Sequence, residues 1–314
     1  MLKSFTFAAT LLLSSTFAFA EQFTIATLGD TAYGKPEEVY PQYEKLISTI
    51  NDLKPDLVIH VGDTKSGSTP CSDKMLDEQL AYLNTFNAPL LYSPGDNEWT
   101  DCHRKAAGEF RPVERLARIR TTYFNNANKS FGKTKVDVTS QATDGYPENA
   151  RMTHKGVAFI TTHVPGSNNN FEIRDPEAVA EFFARDKANI KWINDSFAAA
   201  GDAKAIVIAM QANMFEADWN IGGDETWMRH SGFMNVGTAI MENSAKFGKP
   251  VLLVYGDSHT YSSGRPFPTK APNVISLQVP GEKQMHAVSV TIDTETTGVF
   301  STSIIMNPAL AVSQ

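Results

Sequence analysis

Four apolar runs in this chain end in Gly-Asp, which places Asp30, Asp63, Asp96 and Asp257 at the ends of candidate strands. One such aspartate reads as a turn residue or a helix N-cap. Four of them, each behind a glycine that lets the backbone turn sharply and approach a ligand, point to a shared site. If they converge, mutual repulsion raises their pKa values, and a bound cation is the usual remedy. His259, two residues after Asp257, adds an imidazole. Asp and His ligands without thiolate suit Mn, Fe, Zn or Mg. Two other Gly-Asp pairs act as internal controls. Gly201-Asp202 follows a candidate helix, where the glycine is a C-cap, and Gly223-Asp224 lies in a loop.

Strands must carry those aspartates. Residues 23–28, 56–61, 89–92, 205–210 and 251–255 read as strands, and 36–53, 74–86, 112–124, 176–200 and 225–247 as helices. This alternation argues for parallel strands with crossover helices. Ligands of such sheets bind outside the carboxyl ends of the strands, where each Asp sits. Asp30, Asp63 and Asp96 are spaced by one strand–helix unit, so they lie on neighbouring strands if those strands pair in order. Residues 150–154 and 157–163 form a hairpin or adjacent strands around Lys155-Gly156. Residues 124–147 read as an exposed insertion. Strands near 274–278, 286–292 and 299–305 suggest an antiparallel finish. No linker, low-complexity tract or repeat beyond the strand-Gly-Asp unit divides residues 21–314, which read as a single domain.

The chain has 314 residues and a net charge of −7, with no run of Lys or Arg to engage nucleic acid or an anionic membrane. Residues 1–20 carry Lys3, an apolar stretch and a small-x-small end at Ala18-Phe19-Ala20, the pattern of a secretory signal peptide. The expected location is therefore exported, either periplasmic or secreted. The apolar core of that segment is short for a bilayer span, and no later stretch is apolar enough. Only Cys71 and Cys102 are present, and an oxidising compartment favours a disulfide between them. It would tie the loop after Asp63 to the loop after Asp96.

In order along the chain, "TLGDTAYG", "DLVIHVGDTKSG", "SPGDNEW", "VIAMQANMF" and "VYGDSHTY" resemble the five strand-end motifs of the calcineurin-like metallophosphoesterases, including the purple acid phosphatases. The resemblance spans nearly the whole mature chain. It implies an α/β fold, a four-layer α/β/β/α sandwich of two mixed β-sheets flanked by helices. It implies two divalent or trivalent metal ions (Mn, Fe, Zn or Mg) and a metal-activated water attacking a small phosphorylated substrate, a phosphate mono- or diester. Carried over by position, one ion takes Asp30, the bridging Asp63 and His259. The other shares Asp63 and takes Asp96, Gln211 and Asp257.

This sequence departs from the family's pattern at several of those places. Asp96 stands where the family has Asn, and Asn97 where it has the His that assists catalysis. Gln211 replaces a ligand His, and Asp257 the first His of the last motif. Ala32 stands at the place of a His in the first motif, and Ser66 at that of the Tyr of purple acid phosphatases. Four aspartates just neutralise two divalent ions, so the centre attracts a phosphate dianion less strongly than the usual site. A diester or weakly charged substrate suits it better. Oxygen-only ligation of the second ion favours harder ions such as Mg or Mn.

The missing acid needs a substitute. His163 ends the strand-like "GVAFITTH" and is the first candidate, with His103, in the loop after Glu98, second. His60 reads as packing within a strand, and His154, His230 and His286 have no site argument. Trp99, Lys65, Arg104 and the "GSNNN" run at 166–170 follow strand ends and read as a pocket rim. Three other functions compete with this reading. "YGDSH" resembles the nucleophile block of Gly-Asp-Ser esterases, with Ser258 attacking, but His286 precedes Asp293, the wrong order for that dyad. A dinucleotide role lacks a G-x-G-x-x-G after any strand. The last is a metal- or ligand-binding module that lost its acid at Asn97.

Overall fold

The computed structural model describes residues 22–215 and 232–310. The expected signal peptide, His230 and the first part of the expected helix at 225–247 lie outside the described residues. Two sheets stack face to face. One has five strands in the order β12-β11-β1-β2-β3, the other seven in the order β4-β5-β6-β7-β8-β10-β9. In the first, β1 (Phe23–Leu28), β2 (Leu57–His60) and β3 (Leu90–Tyr92) run parallel and adjacent, as the strand–helix spacing requires. In the second, β6 (Val157–Thr161), β7 (Ala205–Ala209) and β8 (Val251–Tyr255) do the same.

Local chemistry explains the helices. The first, α1 (Pro36–Leu53), starts with Pro at its first turn, where a missing N–H costs nothing. Val39, Tyr43, Leu46, Ile47 and Ile50 recur on one face and are buried. The next, α2 (Asp73–Leu83), is capped by Ser72, whose side chain accepts from the Met75 N–H. A third, α3 (Pro112–Thr122), lies on the same side of the molecule. These helices cover the outer face of the five-stranded sheet. On the far side, α4 (Pro176–Ala199), capped by Asp175, and α5 (Met234–Phe247) cover the seven-stranded sheet. Between the sheets, Ile25, Ile59, Leu91, Phe159, Val207 and Leu252 belong to one apolar layer. That makes four layers, helix–sheet–sheet–helix, with strands apolar on both faces as buried parallel strands require. Among the described residues no helix is long and apolar enough to cross a membrane.

Several details differ from the sequence reading. Residues 124–147 are exposed over much of their length but anchored to the core at a few positions. Phe124 and Phe131 are buried and pack their rings on Tyr92, at centroid distances of 6.2 and 5.7 Å. The run also holds β4 (Thr139–Gln141), which pairs antiparallel with β5 (Tyr146–His154). Asn- and Lys-rich composition masked these few anchoring aromatics. Residues 155–156 do turn a hairpin between β5 and β6, both with positive φ (46° and 77°), the twist that a two-residue turn favours. The tail splits between the sheets. Strand β11 (Ala287–Ile292) pairs antiparallel with both β1 and β12 (Phe300–Ile305). Strand β10 (Val274–Gln278) instead lies parallel to β8, and the short β9 (Ser262–Gly264) pairs antiparallel beside it.

Candidate metal centre

The carboxyl ends of β1, β2 and β3 meet those of β6, β7 and β8 at one edge of the stacked sheets. Asp30 follows β1, Asp63 follows β2, Asp96 follows β3 and Asp257 follows β8, while Gln211 follows β7. Hydrogen bonds join the two sets. The Asp257 N–H donates to both Asp30 oxygens, at 3.2 and 3.0 Å. The Gln211 amide Nε2 donates to three carboxylates: Asp63 Oδ2 at 3.3 Å, Asp96 Oδ1 at 3.3 Å and Asp257 Oδ1 at 3.2 Å. His259 Nε2 lies 3.9 Å from Asp30 Oδ1, and its Nδ1 lies 3.6 Å from Glu282. All four aspartates, His259 and Gln211 therefore occupy one neighbourhood.

Backbone shape makes this approach possible. Asp30, Asp63, Asp257 and His259 all adopt positive φ, between 51° and 77°. Asp tolerates this left-handed region better than most side chains, and such residues gather at functional sites. The preceding glycines matter mainly for closeness. A β-carbon at Gly95 would fall onto the Asp63 carboxylate, and one at Gly256 onto that of Asp30.

Asn97 and Glu98 extend the network. Asn97 donates its backbone N–H to Asp63 Oδ1 (3.1 Å) and its amide Nδ2 to Asp63 Oδ2 (2.7 Å). The same amide donates to the Tyr33 hydroxyl (2.6 Å), which itself donates to Asp63 Oδ2 (2.8 Å). Tyr33 also meets the His259 ring edge-on, at 5.2 Å. Glu98, fully buried, accepts from the backbone N–H groups of Asp63, Thr64 and Gly95 and from the hydroxyls of Thr64 and Tyr92. It fastens the loop after β2 to the loop after β3. Sequence reasoning missed Tyr33 and the anchoring role of Glu98. Their one signal was position, within three residues of Asp30 and two of Asp96.

Burial dominates the electrostatics. It lifts the Asp30 carboxyl well above the ordinary range, and the Asp257 charge adds to the rise. Asp63 rises for the same reason, with Asp96 the largest neighbouring charge. Asp96 is raised by burial too, partly offset by the Ser167 hydroxyl at 2.7 Å. Asp101 is pushed up to about 6 by burial and then by Asp96. Lys65 is buried beside these acids, and burial lowers its pKa. So much buried negative charge calls for a cation, and carboxylate oxygens with one imidazole match a hard divalent ion. Among the described residues, no three Asp, Glu, His or Cys side chains converge on one point closely enough to hold an ion, and the Asn97 and Gln211 amides hydrogen-bond the carboxylates there.

His163, the expected acid, is fully buried. Its Nδ1 bonds Glu148 at 2.9 Å and its ring lies 5.4 Å from that of Trp99. Its Nε2 has no hydrogen-bond partner, and burial lowers its pKa although Glu148 opposes this. The bonds of His163 run to Glu148, Asn149, Arg185 and Asn189 rather than to the aspartates. His60 packs fully buried at the end of β2, held near pKa 3 by burial. His103 is exposed and bonds the Thr100 carbonyl. Trp99 is buried beneath the rim, with Arg185 over its ring at 5.4 Å. Arg104 pairs with Asp101 at 2.7 Å. A β-carbon on Gly67 would lie 2.5 Å from Asn97 Oδ1 and 2.7 Å from Arg104 Nη1, so this guanidinium stands beside Asn97. The "GSNNN" run forms a left-handed turn, with Ser167 to Asn170 all at φ of 46° to 60°. Cys71 and Cys102 form a buried disulfide, with Cα atoms 5.7 Å apart, between the loops after β2 and β3.

Comparison with known proteins places this arrangement. No curated protein gave a significant match. A dimetal phosphatase from Danio rerio aligns over 91% of this chain and 99% of its own, at 10% identity and a TM-score of 0.57. A purple acid phosphatase from yellow lupin (Lupinus luteus) aligns over 91% of this chain and 54% of its own, at 10% identity and a TM-score of 0.51. At such identity these likenesses speak for the fold. The family model described as calcineurin-like phosphoesterase matches residues 23–261, from β1 through the last motif, and that family generally binds two divalent metal ions. The chain belongs to the calcineurin-like phosphoesterases, metal-dependent hydrolases of phosphate esters.

Proposed function

We propose that this chain is an exported phosphoesterase whose metal centre is built from Asp30, Asp63, Asp96, Asp257 and His259, with Gln211 among them. The meeting of three buried aspartates with the part-buried Asp257, from two sheets and bridged by shared donors, carries this reading. Metal bound there would supply Lewis acidity toward a phosphoryl oxygen and the attacking water. The chain's own residues do the rest. Asn97 and Tyr33 fix the Asp63 carboxylate with donors on both its oxygens. Arg104, half-exposed beside Asn97, offers a planar cation to a phosphoryl oxygen at the rim. With four carboxylates, the centre carries less positive charge than one rich in histidine. It therefore suits a diester or a weakly charged ester better than a phosphate dianion. Asn97 donates hydrogen bonds but cannot transfer a proton as histidine does, so slow turnover is expected with good leaving groups and slower still with poor ones.

The test is a screen of phosphomonoesters and phosphodiesters with purified protein and added Mn, Mg, Zn or Fe. Chelator-sensitive hydrolysis, stronger on diesters, supports the reading. Tight ion binding with no hydrolysis of any ester would instead establish the binding-module alternative. Protein that takes up no metal would remove the centre itself.

A further inference from the structure

Gln211 holds an orientation that a metal ligand would not choose. A glutamine binds a cation through its carbonyl oxygen, because the amide nitrogen has no free lone pair to give. Here the Gln211 Oε1 accepts a hydrogen bond from the Gly166 backbone N–H. That contact fixes the amide. Turning it over would set its NH2 against the Gly166 N–H, donor against donor, and leave Oε1 facing three carboxylates. With Oε1 held, Nε2 must face inward, and it lies 3.2 to 3.3 Å from Asp63, Asp96 and Asp257. These three carboxylates are the ones that would share an ion with Gln211.

The Gly166 N–H is itself held in place. Gly166 opens the left-handed turn, and Arg185, fully buried in α4, donates to the backbone carbonyls of His163 and Asn169 and to the Asn169 side chain. Ser167 pins the same turn to Asp96 at 2.7 Å and Asp101 at 2.8 Å. A β-carbon at Gly166 would lie 2.6 Å from Asp257 Oδ1 and 2.9 Å from Asp96 Oδ2, so this backbone closes directly over the two carboxylates. Residues held in left-handed conformation persist where their surroundings over-determine them. The turn is thus a rigid donor aimed at the one atom that sets the Gln211 rotamer.

We propose that Gln211, oriented by Gly166, takes the place of the second metal ion, so that this centre holds a single divalent ion on the side of Asp30 and His259. The two Nε2 hydrogens are shared among the Asp63, Asp96 and Asp257 oxygens where the family pattern would use an ion. Gln211 is then a positioning residue. It keeps the facing carboxylates together and leaves the Asp30 side as the place where cation charge is concentrated. This inference rests on the reading of the site as a metal centre.

Metal counting tests it. The mature protein, equilibrated with Mn(II) and freed of loose ions, is analysed for bound metal by mass spectrometry and for ion coupling by electron paramagnetic resonance. The expected result is one Mn(II) per chain with the spectrum of an isolated ion. Gln211→Glu keeps the side chain's shape but exchanges the inward NH2 for an oxygen, and Gln211→His supplies an imidazole. Both should bind a second Mn(II) at least about tenfold more tightly than the parent chain and show a spin-coupled pair. Two coupled ions in the unaltered protein would overturn the inference and leave the metal centre standing. So would a single isolated ion in both variants, with circular dichroism confirming that they fold. No bound Mn(II) in the unaltered protein would sink the metal-centre reading and this inference with it.

Discussion

At the scale of single residues, Glu98 shows how a buried charge becomes a brace. Five donors from three segments converge on it, and hydrogen bonds to a charged acceptor are individually stronger than neutral ones. Glu98→Ala should lower unfolding stability by about 3 kcal/mol, because buried N–H groups of Asp63, Thr64 and Gly95 lose their partner. Urea denaturation measures it, and a loss near zero would mean water takes over those donors. The Glu148–His163–Arg120 cluster behaves differently with pH. Burial alone would raise Glu148, but Arg120 and then His163 outweigh it and hold the carboxyl at about 2. The stability it contributes is present above the ordinary glutamate range and is lost as pH falls through that range toward 2. His163, lowered by burial, adds acid sensitivity of the same sign, since charging it disfavours the fold below its ordinary pKa. Glu148→Gln should therefore cost about 3 kcal/mol at neutral pH and progressively less toward pH 3. A cost independent of pH would show that packing, not charge, sets it. The acid role expected of His163 from the sequence would have to be exercised from this buried position, away from the aspartates. His163→Ala should reduce turnover with metal content unchanged, and unaltered turnover would reject that role.

Elements act here as mounts. Parallel strands on each sheet bring their carboxyl ends to one edge, and short loops carry the aspartates a few residues beyond. The disulfide works at this scale. It links the loops that hold Asp63 and Asp96, and its sulfurs lie against the Asn97 and Glu98 carbonyls. Replacing Cys71 and Cys102 by Ser should destabilise the protein by roughly 3–4 kcal/mol in the chain-entropy model. Metal affinity should fall as well, since two ligand-bearing loops gain freedom. Thermal unfolding and metal titration of the double variant read both effects. Loss of stability with metal affinity intact would restrict the bridge to a structural role.

For the whole molecule, the centre is a trade between stability and function. Burying several carboxylates together strains the ion-free fold, and an ion bound there would relieve it. Asp30, Asp63 and Asp96 have raised folded pKa values, so ion-free protein keeps protons that the unfolded chain releases. Its stability therefore falls as pH rises through the window between their ordinary and raised values. Chelation should lower the melting temperature most at neutral pH and less at about pH 5, where protons partly substitute for the ion. Scanning fluorimetry with and without chelator at the two pH values checks this. An equal drop at both would mean the carboxylates are not the ion's principal partners.

Much of this was legible in the chain. The four strand-end Gly-Asp pairs announced the site, because an apolar run, a small residue and a charge in that order leave few structural alternatives. Strand and helix periodicity located β1 to β3 and their crossover helices, since local burial patterns decide them. Cysteine count and the signal-peptide-like pattern of residues 1–20 pointed to the disulfide. Tertiary structure alone decided the rest. Phe124 and Phe131 looked like parts of a polar loop until they met Tyr92 across the fold. Tyr33, Glu98 and Arg185 showed no such role in the sequence, because the contacts that give it to them reach other segments of the chain. Gln211 could be named as a ligand by position, yet only the Gly166 N–H, 45 residues away in the chain, fixes which end of its amide faces the carboxylates. Sequence states which donors and acceptors are available, and hydrogen-bond direction depends on what each one finds opposite it.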